Sequence, residues 1–377
     1  MPFVVERDRA GVPSVAVLVI AVNLGFRAGR VPGVENRAKG DTQRMNKLRT
    51  FLLPDQVTGS TFDRVLARQL VTAWQEDGIF QVYATLGQAR TSQQALAASR
   101  SFFSRSRLEK ETFVSDLTYS GYIAPGEEVN AGELDNSELF TVCPDVPFDD
   151  LRVRRGWPCH GPVPWPNPDY RAAMQAYLGE VGRIGQKTLT LVALGLRLDI
   201  DRLSRLTENG WHHLRAVRLP ARTAATERGI GAHTAYGMLT IAAQDEAGGL
   251  YIRPPVPGEK RNRNWLAGES TAGRYENEEP WIFVEPEPRV FTVFPGDLLQ
   301  FLTGGQLLST PHKIRLGATE RHMLAYFTTP HSARPSGHWT AATTPSTTAR
   351  ISPPCTPATT PNGSPPNAST AKAGCAP

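Results

Sequence analysis

Hydrophobic positions along the chain change period once, and that change sets the expected architecture. In "FDRVLARQLVTAWQEDGIFQVYA" the apolar residues Phe62, Val65, Leu66, Leu70 and Trp74 recur at helical spacing, and Gly78 ends the pattern ahead of a β-rich "IFQVYA". "TSQQALAASRSFFSR" predicts a second helix with Thr91 as its N-cap. "DYRAAMQAYLGEVGRIGQKTLTLVALGL", nearly thirty residues without a proline, predicts a third from about Pro168. After His212 the repeats shorten, and "LRAVRL", "MLTIAA", "LYIRP", "WIFVEP", "VFTVFP", "LLQFL" and "HMLAYF" predict strands. Helices first and strands later predict an α+β chain with a β-barrel or sandwich at its centre.

Both ends depart from this pattern. The last 47 residues contain nine Pro and, of Val, Ile, Leu, Met and Phe, only Ile351, so residues 331–377 cannot bury a core and are expected to be a disordered tail. Back-translating that tail and shifting the frame by one base permits an aromatic, charged peptide that reads more like protein. At the other end, the run from Val12 to Phe26 holds only about ten consecutive apolar residues, too few to span a bilayer. The following "RAGRVPGVENRAKG" offers no small-residue cleavage site. Residues 1–44 are therefore expected to be a poorly ordered extension, with Met45 a second possible start and 45–330 the folded domain.

Charge changes one inference. The net charge of +5 suggests a nucleic-acid binder until it is divided along the chain. Residues 1–44 and 331–377 each contribute +3, leaving −1 for the interior, so no basic stripe favours nucleic acid. Cys143, Cys159, Cys355 and Cys375 have neither metal-ligand spacing nor the density of a disulfide scaffold. Four free thiols, a cytoplasmic location, no membrane partner and a monomer are expected.

Candidate chemistry lies in "GIGAHTAYGMLTIAAQDEAGGLYI", from Gly229 to Ile252. A His two residues before an Asp on a strand places both side chains on one face. With a distant His, such a pair forms the 2-His-1-carboxylate triad that holds non-haem Fe(II) and leaves positions open for reactants. His233 is present, but Ala235 stands where the carboxylate would be. "FPGDLLQFLTGGQLLSTPHKIRLGATERHMLAYF" supplies His312 and, nine residues later, Arg321.

With these residues the chain resembles the Fe(II)/2-oxoglutarate-dependent oxygenases that include isopenicillin N synthase and the plant oxidases. Within them it is most similar to the ethylene- and succinate-forming oxygenases. "SDLTYSGY", "GEEV", "GWPCHGPVPWPN", "GWHH", "RGIGAHT", "YIRPPV", "GEKRNRNW" and "FPGDLLQFLTGGQLLSTPHK" carry the likeness over most of 45–330. The shifted-frame peptide is similar to that group's C-terminal segment, which favours a frameshift as the origin of the tail.

The resemblance implies a double-stranded β-helix (jelly-roll) core flanked by helices, with Fe(II), 2-oxoglutarate as cosubstrate, and O2. It implies His233 and His312 as metal ligands, close enough to share one ion. Arg321 is then expected on the far carboxylate of 2-oxoglutarate, where a planar donor can make two parallel hydrogen bonds. Arg215 is expected to steer the near carboxylate, Glu128 to take the guanidinium of an L-arginine co-substrate, and Tyr236 to pack against it. The family's R-x-S reads "RHM" here, so only the arginine carries over. Taken alone, each histidine is as ordinary as a structural core histidine, Glu128 as a loop carboxylate and Arg321 as a strand arginine.

A methyl at Ala235 cannot bind iron, so impaired activity is expected. The alternatives are a catalytically silent binder of 2-oxoglutarate or arginine, and a halogenase, since aliphatic halogenases of the superfamily also place a small residue there. An unrelated lectin-like barrel would have no need of Arg321 nine residues beyond His312.

Overall fold

The computed structural model describes residues 4–7, 13–16 and 48–330, apart from Asp116, Pro158 and Ala225. Of the expected N-terminal extension it describes an antiparallel pairing of Val4–Arg7 with Pro13–Ala16. The rest of 1–44, the tail 331–377 and Cys355 and Cys375 lie outside the described residues. Cys143 and Cys159 are free thiols, as expected. Among the described residues no helix is long and apolar enough to cross a membrane.

Twelve strands and four of the helices position the site. In chain order they are β1 (Thr50–Phe51), α1 (Thr61–Asp77), β2 (Phe80–Tyr83), α2 (Leu86–Phe103), β3 (Gly121–Ile123), β4 (Glu138–Val142), α3 (Pro168–Gly195), β5 (His213–Leu219), β6 (Arg228–His233), β7 (Leu239–Gln244), β8 (Leu250–Ile252), β9 (Ile282–Phe283), β10 (Val290–Pro295), α4 (Asp297–Leu302), β11 (His312–Arg315) and β12 (Arg321–Thr328). A large sheet has the order β1-β2-β10-β7-β12-β5-β4-β3, and a small one β6-β11-β8-β9. All of these pairings are antiparallel except that of β1 with β2.

Alternation along the strands assigns the two faces of the large sheet. On β12, Leu324 and Tyr326 join the core that includes Leu66, Leu70 and Trp74 of α1 and Met174, Tyr177 and Val181 of α3. Met323 and Ala325 point the other way, into a second core with Leu250 and Ile252 of β8 and Ile314 of β11. The second core fills the space between the two sheets, as in the expected jelly roll, and the helices cover the outer face.

Helix starts follow local chemistry. Ser60 caps α1 in a reciprocal box with Asp63, whose carboxylate also accepts from the Thr58 backbone at 2.9 Å and hydroxyl at 3.1 Å. Removing it with Asp63→Ala should lower stability by about 1–2 kcal/mol, measurable by urea unfolding at neutral pH. Pro168 starts α3 behind the Asn167 cap.

Three expectations are corrected. Phe62 and Val65 are exposed, and the buried stripe of α1 runs through Leu66, Ala67, Leu70, Ala73 and Trp74. Thr91 lies inside α2, its hydroxyl donating back to the Gly87 carbonyl at 2.9 Å, while Thr85 is the N-cap. "LLQFL" is helix α4, because Gly296 opens a turn and a short buried apolar run has no period that separates helix from strand.

Candidate active site

Strand pairing brings the two histidines together. His233 on β6 is the direct register partner of His312 on β11, and their ring centroids lie 4.3 Å apart. Each Nδ1 faces a backbone carbonyl, His233 on Gly231 at 2.8 Å and His312 on Thr310 at 3.0 Å. A carbonyl only accepts, so each Nδ1 carries a proton, and in the neutral ring Nε2 keeps the lone pair. Binding a metal through Nε2 needs this tautomer. Burial, with His233 adding to it, pulls the His312 pKa down to about 3, so that ring is neutral at pH 7.

Ala235 is buried and lies just past the end of β6, not on the strand itself. Its carbonyl accepts the Asp297 N–H at 2.7 Å, and a Cβ on Gly296 would come within 2.6 Å of that oxygen, so this close approach requires glycine. Among the described residues no group of three or more His, Cys, Asp or Glu side chains is arranged to hold a metal ion. Two adjacent imidazoles, each with Nδ1 held by a backbone carbonyl, are a donor set that fits a divalent ion.

The opposite wall carries the arginines. Residues opposed across β12 and β5 share a face, so Arg321 with Leu219, Met323 with Val217, Ala325 with Arg215 and Phe327 with His213 all face the second core. Arg321 and Arg215 are thus about 13 Å apart along the strands, measured as four residues of rise. Arg321 is 1% exposed, and its Nε and Nη1 have no hydrogen-bond partner. Its Nη2 donates to Gln244 Oε1 at 3.1 Å. Burial lowers its pKa to about 10, against the pull of Asp245, so it stays charged at pH 7. Gly249 has φ +108°, and a Cβ there would lie 2.7 Å from Nη1, so glycine makes room for the guanidinium. An arginine buried with orphaned donors fits a carboxylate that the chain itself does not supply.

Arg215 and Glu128 meet each other. Arg215 Nη2 donates to Glu128 Oε1 at 2.9 Å and Nη1 to Oε2 at 3.2 Å, a two-pronged pair. The Tyr119 hydroxyl accepts from Arg215 at 2.6 Å and donates to Glu128. Burial works against the charge on Arg215, but Glu128 and Tyr119 outweigh it and raise its pKa. The Tyr236 hydroxyl contacts His213 Nε2 at 3.0 Å, and its ring lies in one aromatic layer with Trp211, His213 and Phe327.

Sequence reasoning missed Tyr119, His213 and Phe327 as individuals, although "SDLTYSGY" and "GWHH" contain the first two. It also missed Asp297, buried beside the histidines with Oδ1 unpaired and its pKa raised by burial. An Asp one residue after a glycine at a helix start reads as an ordinary cap.

The neutral histidines carry a pH expectation. Half-buried His212 donates from Nε2 to the Thr207 carbonyl at 3.0 Å and accepts the Thr329 N–H on Nδ1 at 3.1 Å. Burial lowers its pKa to about 4, and that of His213 falls for the same reason. The unfolded chain takes up protons near pH 6.5 that the folded chain refuses until much lower pH. Stability present at pH 7 is therefore lost as pH falls from about 6.5 toward 4, by about 1.4 kcal/mol per unit for each such histidine. Urea unfolding at pH 7 and pH 5 should show this loss, and His212→Gln should remove one histidine's share.

Residues 53–168 match the model of the non-haem dioxygenase in morphine synthesis N-terminal domain, and residues 211–330 that of the 2OG-Fe(II) oxygenase superfamily. A 2-oxoglutarate-dependent ethylene/succinate-forming enzyme from Ralstonia nicotianae is 56% identical over 289 residues, covering 76% of this chain and 84% of that protein. A 2-oxoglutarate-dependent dioxygenase from Penicillium crustosum is 28% identical, covering 65% of this chain and 72% of that one. In fold, a 2OG-Fe(II) oxygenase family protein from Caulobacter crescentus matches with a TM-score of 0.59 at 20% identity, over 75% of this chain and 86% of that one. The dioxygenase for auxin oxidation from Arabidopsis thaliana, in its complex with 2-oxoglutarate, matches with a TM-score of 0.55 at 18% identity, over 76% and 94%. The family uses Fe(II), 2-oxoglutarate and O2. The chain belongs to the 2-oxoglutarate–Fe(II) oxygenase superfamily.

Proposed function

We propose that the chain is a 2-oxoglutarate-dependent dioxygenase of the ethylene/succinate-forming type whose turnover is impaired by Ala235. It would convert 2-oxoglutarate and O2 to ethylene and CO2, or to succinate and CO2 with oxidation of L-arginine. The observation that carries this is Arg321, buried and charged with two donors unpaired, facing the space between the sheets where two imidazoles meet.

His233 and His312 would hold the metal through Nε2, and Arg321 the far carboxylate of 2-oxoglutarate. The chemistry that Fe(II) supplies when bound is O2 activation coupled to loss of CO2 from 2-oxoglutarate. Glu128 supports the arginine assignment, because it already binds a guanidinium, that of Arg215. We infer that L-arginine takes that place and frees Arg215 for the near carboxylate of 2-oxoglutarate, while Tyr236 flanks the incoming side chain. The missing carboxylate favours one other outcome, a binder of both small molecules with little turnover.

Iron-dependent release of succinate from 2-oxoglutarate, with and without L-arginine, separates these. Slow, arginine-stimulated succinate formation is expected. Binding of both ligands without product would establish the silent binder, and a chloride requirement with a chlorinated product would establish a halogenase.

A further inference from the structure

β6 is an edge strand of the small sheet, and its pairing with β11 shifts register twice between Arg228 and His233. Its backbone therefore needs other partners, and buried side chains supply them. On its free side lies the segment from Glu128 to Asn136, whose Val129–Asn130 and Glu133–Leu134 pair around a turn with Ala131 at φ 57° and Gly132 at φ 81°. Two consecutive positive φ values make a tight, twist-matched hairpin.

That hairpin grips one residue from both sides. Asn130 Nδ2 donates to the Gly231 carbonyl at 2.9 Å, and Asp135 Oδ1 accepts the Gly231 N–H at 3.0 Å. Asn130 is 9% exposed and Asp135 4%. Asn136 adds two bonds, its backbone N–H to the Gly229 carbonyl at 2.8 Å and its Nδ2 to the Arg228 carbonyl at 2.9 Å. Arg228 returns to the Asn130 carbonyl at 2.9 Å and to Asp135 at 3.2 Å. The Gly231 carbonyl is the same oxygen on which His233 Nδ1–H rests. At its base the hairpin starts at Glu128, whose carbonyl accepts the Asp135 N–H at 3.0 Å.

We propose that Asn130 and Asp135 are positioning residues for His233: they fix the carbonyl that sets its tautomer and tie that imidazole to the hairpin carrying Glu128. This rests on the assignment of His233 to the metal and of Glu128 to a guanidinium. Two consequences follow. Loosening Gly231 lets His233 populate the Nε2–H tautomer, which cannot bind a metal through Nε2. A guanidinium arriving at Glu128 acts on metal affinity through the hairpin.

The test uses the full chain. Asn130→Asp places an acceptor against the Gly231 carbonyl, Asp135→Ala leaves the Gly231 N–H unpaired, and Asp135→Asn retains an acceptor there. The first readout, independent of metal and turnover, is the 15N imidazole spectrum of the metal-free protein at pH 7.5. The parent and Asp135→Asn should show His233 as the Nδ1–H tautomer, and Asn130→Asp a shift toward Nε2–H. The second is Co(II) affinity, which should fall about tenfold or more in Asn130→Asp and Asp135→Ala and stay near the parent in Asp135→Asn. L-arginine should tighten Co(II) binding in the parent but not in Asn130→Asp. His233→Ala separates the two levels. If it leaves Co(II) affinity unchanged, the metal assignment fails. If it abolishes binding while Asn130→Asp changes neither tautomer nor affinity, the positioning role alone is overturned. Should Asn130→Asp not fold, Asn130→Ala, which removes the donor without adding charge, is read by the same criteria.

Discussion

Ala235→Asp is expected to tighten Fe(II) binding by at least about tenfold and to raise succinate formation from 2-oxoglutarate. The two imidazoles are already in register, each with Nδ1 on a backbone carbonyl, so on the proposed assignment the site lacks a single anionic oxygen donor. Losing even an outer partner of a metal ligand typically costs about 10–100-fold in affinity or activity, and a ligand itself should matter no less. Metal titration and product analysis of parent and variant, with and without chloride and L-arginine, provide the check. Equal succinate yields would mean that the site works without the carboxylate.

Arg321→Met should separate ligand binding from stability in opposite directions. The guanidinium is charged, 1% exposed and has two donors without partners, which is an expensive arrangement in a ligand-free core. Replacing it with an apolar side chain of similar length should raise the ligand-free protein's unfolding free energy by about 1–3 kcal/mol. The same change deletes the buried partner of a carboxylate and should weaken 2-oxoglutarate binding by at least about 30-fold, or 2 kcal/mol. Calorimetric titration and urea unfolding of one preparation measure both. A variant that is less stable and binds 2-oxoglutarate as tightly as the parent would show that Arg321 is a structural strand arginine.

What was legible in the sequence follows from which interactions are local. The long proline-free run of α3 and the short β-rich runs of β5, β7 and β12 are written in contiguous residues, so those elements could be read directly. The faces of α1 could not, because Phe62 and Val65 match the period as well as Leu66 and Leu70 do, and only the packing of α3 decides which are covered. His233, His312 and Arg321 were legible through motif spacing. The juxtaposition of the two histidines depends on the pairing of β6 with β11, a contact across about eighty residues of chain. Glu128 was legible as a residue that takes a guanidinium. That the guanidinium at hand belongs to Arg215 follows from the pairing of β4 with β5 and the return of the Glu128–Asn136 hairpin, which no local pattern encodes. Asn130 and Asp135 were invisible for the same reason, since an Asn and an Asp near glycine read as turn residues until the strand they clamp is known.

On the proposed reading, two imidazoles and one buried arginine form a metal and 2-oxoglutarate site that lacks its carboxylate ligand. The most direct measurement is a crystal structure of the chain grown without O2 in Mn(II) and 2-oxoglutarate, with an anomalous difference map at the Mn edge. A peak is expected within about 2.3 Å of Nε2 of both His233 and His312, with 2-oxoglutarate chelating the ion and its far carboxylate on the Nε and Nη groups of Arg321. A map with 2-oxoglutarate bound elsewhere, or with no ion between the imidazoles at saturating Mn(II), would contradict it.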